Sequence, residues 1–267
     1  MTTISILGCG WLGVPLAEAL IKANFRVKGS TTSAQKQAVL TQKGIEPYVI
    51  SLQTDGVLGE ITAFLDQSAL LIIAIPPKLR RNSSENFVAK IQQLLPYIEN
   101  SGVQKVLFIS STSVYSDTNE IITEKSAHNP STEAGKQLLV IEGILQNNPH
   151  FSTTILRFAG LVGADRNPVH FLAGKENLEN PEAPINLIHQ EDCIGIILKI
   201  ISTNTWNQVF NAAADYHPSR AAYYTQKAVA LDLVPPSFSR KNPSVGKTIN
   251  SDTLKNTLNY LFIKNEL

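Results

Sequence analysis

The chain has 267 residues and a formal net charge of +1, with 43% hydrophobic and 17% charged residues. Such a length and composition fit a single globular α/β core and exclude a disordered segment. Lys78, Arg80 and Arg81 form the one short basic group, and so balanced a charge has no long-range field to draw in nucleic acid or an anionic membrane surface.

Taken in chain order, the first apolar run predicts a strand over 4–7, followed by a helix over 12–23. A second strand is expected over 25–29 and a second helix over 34–42, which Gly44 can terminate. A third strand covers 48–52, and a fourth, apolar throughout, covers 70–75 and is stopped by Pro76 and Pro77. Val88, Ile91, Leu94 and Leu95 give 87–98 a helical period, and fifth and sixth strands follow over 106–109 and 153–158. Strands apolar on both faces, alternating with amphipathic helices, predict a parallel sheet covered on both sides. Beyond Phe158 the pattern loosens into a loop-rich stretch over 160–183, a helix over 192–201, a short strand over 209–211 and a helix over 220–231.

Cys9 and Cys193 are the two cysteines. They are too few for a zinc site of their own or a disulfide-stapled secreted fold, so no metal is expected. The opening residues read as a strand and not as a signal peptide, and no apolar run reaches the ~20 residues that a membrane-spanning helix requires. A cytoplasmic location follows by elimination, with neither nucleic acid nor membrane as a partner.

Gly8-Cys9-Gly10-Trp11-Leu12-Gly13 fits G-x-G-x-x-G between the first strand and the first helix. In that setting the pattern points to a dinucleotide site. Gly8 allows the tight turn, Gly10 lets a pyrophosphate approach the backbone, and Gly13 lets the helix pack on the strand. The free N–H groups of the helix start, at Trp11 and Leu12, would then face the phosphates. An NAD site would place a carboxylate about twenty residues on to hold the ribose. Here that region reads Lys28-Gly29-Ser30-Thr31-Thr32-Ser33, with Lys36 a turn later. A carboxylate ~4 Å from a 2′-phosphate would cost roughly 4 kcal/mol at moderate dielectric. Ser30, Thr31, Thr32 and Lys36 offer donors instead, so NADP(H) is expected, with NAD(H) as the alternative.

Ser110-Ser111-Thr112-Ser113-Val114-Tyr115 follows the fifth strand, and further stretches run Leu156-Arg157-Phe158-Ala159-Gly160-Leu161-Val162-Gly163, Leu187-Ile188-His189-Gln190-Glu191-Asp192 and Val209-Phe210-Asn211-Ala212. Together with the glycine turn these resemble the extended short-chain dehydrogenase/reductase superfamily, the NAD-dependent epimerase/dehydratase-like proteins. The details Gly-Trp-Leu-Gly, Ser-Ser-Thr-Ser-Val-Tyr and Phe171-Leu172-Ala173-Gly174-Lys175 are most similar to its atypical YeeZ-like subgroup. The resemblance implies a Rossmann-type doubly wound parallel sheet with a small C-terminal substrate lobe, and often a homodimer. The expected division is 1–160 plus 185–212 for the nucleotide-binding unit and 161–184 plus 213–267 for the lobe. Ile75, Pro76, Pro77 and Ser110, at the ends of the fourth and fifth strands, join the expected cofactor contacts.

The same resemblance implies a catalytic Ser, Tyr and Lys. Ser111 matches the serine that orients the substrate oxygen. Where Y-x-x-x-K belongs, the chain has Thr132 and Lys136 on a helix entered through Asn129 as cap and Pro130 in the first turn. Lys136 would hold the nicotinamide ribose. A threonine hydroxyl is far less acidic than a phenol, and losing a general acid costs about a hundred- to ten-thousandfold in rate. Tyr115 is therefore the expected substitute acid, with His170 and His189 as weaker ones. Tyr223 with Lys227 and Tyr260 with Lys264 repeat the Y-x-x-x-K spacing by coincidence, and Arg157 and Asp192 are expected to stabilise the fold. Lys78 could reach a cofactor phosphate, Ser51 stands where relatives carry an adenine-holding Asp, and Asn167, His170, Phe171 and Asn186 are expected to line the substrate pocket. Two functions follow: an oxidoreductase or epimerase-type enzyme acting on a small hydroxylated or carbonyl substrate, or a catalytically silent NADP(H) sensor on the same fold.

Overall fold

The computed structural model describes residues 1–77, 79, 85–265 and 267. Seven parallel strands make the central sheet: β1 (Thr3–Leu7), β2 (Arg26–Thr31), β3 (Glu46–Val49), β4 (Ser68–Ile73), β5 (Lys105–Ser111), β6 (Ser152–Phe158) and β7 (Val209–Ala212). Their spatial order is β3-β2-β1-β4-β5-β6-β7, the doubly wound order of a Rossmann-type sheet extended by one strand. The order reverses between β1 and β4, where Ile6 pairs with Ile72 and Leu7 with Ile73. Ligands of such sheets bind outside the carboxyl ends of the strands at that reversal. The glycine turn leaves β1 at this point.

The middle of the sheet is buried because it is apolar on both faces: Ile4, Ile6, Leu71, Ile72, Val106, Leu107 and Phe108 are each at most 1% exposed. Helices cover both sides. On one side α1 (Gly13–Lys22) packs against α6 (Gln190–Thr203); on the other lie α3 (Ile61–Leu65), α4 (Phe87–Glu99) and α5 (Glu133–Gln146). Their buried faces carry the helical period, with Leu16, Ala17 and Leu20 on α1, Ile91, Leu94 and Ile98 on α4, and Ile196, Ile197 and Ile200 on α6. Between β2 and β3 lies α2 (Gln37–Gln42).

Local structure differs from expectation in several places. The strand expected over 48–52 is two pieces: β3 ends at Val49, and Ser51–Leu52 turns away to pair antiparallel with Val57–Leu58. The helix expected over 34–42 begins as a 3₁₀ turn, Ala34–Lys36. The helix α5 starts at Glu133, not at Pro130: Thr132 is its cap, accepting Gly135 N–H at 3.1 Å. Asn129 and Thr132 can both cap. The fit of Gly135 against Ser113 settles the register, since a Cβ there would lie 2.2 Å from the Ser113 carbonyl oxygen.

The loop-rich stretch also contains Gly160–Val162, which pairs in parallel with Leu187–His189. Val162, Ile185 and Leu187 with Tyr223, from α7 (Arg220–Ala230), form a second small core. The tail is shared between the two cores, because α8 (Asp252–Leu258) places Leu254 and Leu258 in the main one. Buried Asp192 staples the last residues, accepting the Tyr260 hydroxyl at 3.0 Å and the amides of Ile263 and Lys264 at 2.7 and 3.0 Å. Among the described residues, no helix is long and apolar enough to cross a membrane.

Candidate functional site

The glycine turn has the shape its sequence predicts. Gly8 has φ +111°, in the region glycine favours, and a Cβ there would lie 2.7 Å from Ile75 Cγ2. Gly13 sits where a Cβ would be 2.2 Å from the Gly8 carbonyl oxygen, so only glycine lets α1 close on the turn. Gly10 is the opposite case, exposed and with nothing within 4 Å of where a Cβ would be. The neighbouring amides of Trp11 and Leu12 make no hydrogen bond among the described residues. An open backbone edge beside free N–H groups at a helix start fits a diphosphate.

This turn forms one end of a cavity of about 240 Å³. Its walls are Gly8, Cys9 and Gly10, then Ser30, Thr31, Thr32 and Lys36 from the end of β2 and the next turn, Ile50, Ser51 and Leu52 after β3, and Ala74, Ile75 and Pro76 after β4. The far wall is Glu85, Phe87 and Lys90 at the start of α4. Pro77, Trp11, Leu12, Gly13, Ser110 and Lys136 do not line it. Individual side chains correct the expectation. The hydroxyl of Ser30 accepts the Gly8 N–H at 2.9 Å and so braces the turn; that of Thr31 accepts from Ser33 N–H at 3.2 Å. Thr32 and Lys36 are exposed on the wall. Lys28 points away, donating to the carbonyls of Ala63 and Asp66. A carboxylate does line the cavity, from Glu85, and it is ion-paired to Lys90. Cys9 is buried against Gly29 and burial pushes its thiol up to about 12, so it is an inert wall atom. Lys78, Arg80 and Arg81 lie outside the described residues.

The segment after β5 is built around a buried polar network. Ser110 donates to Glu142 Oε1 at 2.5 Å, and Glu142 is ion-paired to Arg157, both side chains about 3% exposed or less. Arg157 Nη1 donates to the Tyr115 hydroxyl, which donates in turn to Asn211 Oδ1 at 3.0 Å. Tyr115 is 1% exposed, and burial raises its phenol above the ordinary value against the opposing pull of Arg157. The expected acid is therefore turned into the core and not toward the cavity. Thr132 is exposed and its oxygen is occupied by the cap of α5. Lys136 is also exposed, since Gly135 and Leu138 take the face of α5 that meets the 3₁₀ turn Thr112–Val114. Ser111 is half-buried; its oxygen accepts Ser113 N–H at 3.2 Å, and its own proton has no acceptor among the described residues.

No family model matches the sequence. Protein YeeZ of Escherichia coli K12 is 34% identical over 263 residues, covering 97% of this chain and 95% of that protein. The chain belongs to the YeeZ family. Its architecture recurs in a short-chain dehydrogenase/reductase superfamily protein from Agrobacterium tumefaciens with bound NAD, at TM-score 0.76 and 19% identity over 97% of this chain and 92% of that one. It recurs too in a Bacillus cereus UDP-glucuronic acid 4-epimerase complexed with UDP-glucuronic acid and NAD, at TM-score 0.79 and 17% identity over 97% and 94% of the two chains.

In this YeeZ-family chain several of the remaining expected residues make hydrogen bonds within the fold. His189 caps α6, with Nδ1 accepting Glu191 N–H. Asn167 caps the 3₁₀ turn Pro168–Phe171, and Asn186 holds the Lys247 carbonyl and Ile249 amide. His170 and Phe171 are exposed. Sequence reasoning missed Glu142, Glu85 and Lys90. Only Glu142 left a signal: it falls seven residues after Gly135, a carboxylate on the buried face of an amphipathic helix.

Proposed function

We propose that this protein binds NADP(H) at the glycine turn and uses it in oxidoreductase or epimerase-type chemistry on a small hydroxylated or carbonyl substrate. The observation that carries the reading is the open side of Gly10 beside the free amides of Trp11 and Leu12. For NADP(H) over NAD(H), support comes from Thr32 and Lys36 on the cavity wall and from the end of β2, which carries no carboxylate. Among the described residues, the one carboxylate lining the cavity, Glu85, is matched by Lys90, and Lys36 has no ion-pair partner.

When bound, the nicotinamide supplies or accepts hydride. The chain's part is orientation: Ser111 offers its free hydroxyl proton to a substrate oxygen, and Lys136, on the first turn of α5, reaches for the ribose. The UDP-sugar bound in the Bacillus cereus neighbour puts nucleotide sugars in the first substrate panel. A homodimer belongs to the same reading, and light scattering on the purified protein checks it.

Fluorescence titration with NADPH and NADH tests the cofactor. NADPH is expected to bind tighter, and Lys36→Ala to weaken NADPH about tenfold while sparing NADH. Tighter binding of NADH overturns the preference. A second reading, a silent NADP(H) sensor, is favoured by the hydroxyl of Tyr115, which both donates and accepts within the core. NADPH binding with no turnover across the substrate panel selects it.

A further inference from the structure

The substrate-side lobe touches the glycine turn through residues 163–166. Gly163 and Arg166 exchange two backbone hydrogen bonds of 3.0 Å, closing a tight turn at Ala164 and Asp165. That turn grips the Trp11 indole on three sides. Asp165 Oδ1 accepts the indole N–H at 2.7 Å, and the Arg166 guanidinium lies 5.0 Å from the ring centroid. Gly163 is packed so closely that a Cβ would fall 2.8 Å from the indole Cζ2. From α6, Gln190 Nε2 donates to the Trp11 carbonyl at 2.7 Å. Trp11 is thus immobilised, with its free amide beside the open side of Gly10.

The cradle itself offers N–H groups but no full charge, whereas a diphosphate brings two negative ones. Lys36 lines the cavity from the 3₁₀ turn after β2. Arg166 is exposed and has no ion-pair partner among the described residues. A guanidinium stacked on an aromatic face keeps its in-plane N–H donors free around the ring's rim, and these match the paired oxygens of a phosphate. We propose that Arg166, held over Trp11 by the 163–166 turn, is the cation that clamps the diphosphate of the bound dinucleotide. The clamp rests on the dinucleotide reading above. It makes the substrate-side lobe part of the cofactor site. Asp165 carries an opposing charge there, and its role is to hold the ring.

Calorimetric titration with ADP-ribose, which carries the diphosphate without the nicotinamide, tests the clamp on wild type, Arg166→Gln, Arg166→Lys and Asp165→Asn. Arg166→Gln should weaken ADP-ribose about tenfold, ~1.4 kcal/mol, and flatten its salt dependence. Arg166→Lys should recover part of the loss by restoring charge. Asp165→Asn keeps an acceptor for Trp11 and should bind ADP-ribose at least as tightly as wild type. Wild-type affinity in Arg166→Gln, or equal losses in the Gln and Lys variants, overturns the clamp while leaving the dinucleotide reading intact. A wild-type protein that binds neither ADP-ribose nor NAD(P)H overturns both.

Discussion

Gly10→Ala adds one methyl group on the open side of the glycine turn, where no protein atom lies within 4 Å of the new Cβ. Gly10 has no positive φ among the backbone outliers, so alanine fits its conformation. Folding stability should stay within ~0.5 kcal/mol of wild type, or rise slightly as the unfolded chain loses freedom. Binding should respond in the opposite way. A phosphate oxygen must come within ~2.7–3.2 Å of the turn's amides, and a methyl there occupies that space. Hydrogen bonds to a charged group are worth about 1.5–3 kcal/mol each, so losing two weakens NADPH by at least about a hundredfold. Gly13→Ala provides the contrast: its Cβ would overlap the Gly8 carbonyl at 2.2 Å, and forcing that contact should cost about 1–3 kcal/mol of stability. Urea unfolding gives the first quantity and fluorescence titration the second. NADPH bound as tightly by Gly10→Ala as by wild type would refute the cradle.

Other outcomes follow from the buried network. Tyr115→Phe strands Arg157 Nη1 and Asn211 Oδ1, and should destabilise the chain by about 1–3 kcal/mol in urea while leaving NADPH affinity unchanged; a stable variant with altered affinity would place the phenol in the site after all. Glu142→Ala leaves the Arg157 charge buried without its partner and should cost about 3–5 kcal/mol, against which an unshifted urea midpoint would count. At high pH, burial has pushed the phenols of Tyr48 and Tyr223 up to about 12. The folded chain then holds those protons more tightly than the unfolded one, where they leave near ~10. Their contribution is complete below about pH 10 and disappears as the pH rises toward 12. Urea midpoints should fall between about pH 10 and 12, less so in Tyr223→Phe; equal slopes in the two proteins would exclude Tyr223.

What the sequence determined by itself was local. Apolar runs of strand length and the 3.6-residue period of Leu16, Leu20, Ile91 and Leu94 specify the alternation of strands and helices, because both signals lie within a few turns of chain. The glycine turn was legible for the same reason, since Gly8 and Gly13 answer to close contacts with the end of β4 and within the turn itself, while Gly10 keeps its side open. The fate of each hydroxyl was not. Tyr115 meets partners 42 and 96 residues away, and Glu85 reaches the cavity wall from just ahead of α4, which no spacing ties to β2. The helix start expected at Asn129 and Pro130 lies instead at Thr132, which is the cap, and Gly135 packs against Ser113. Long-range packing decides which polar group is buried and which is presented. A buried donor or acceptor must find a partner wherever the fold supplies one, so a hydroxyl's chemistry is fixed by the tertiary structure and not by its place in a motif.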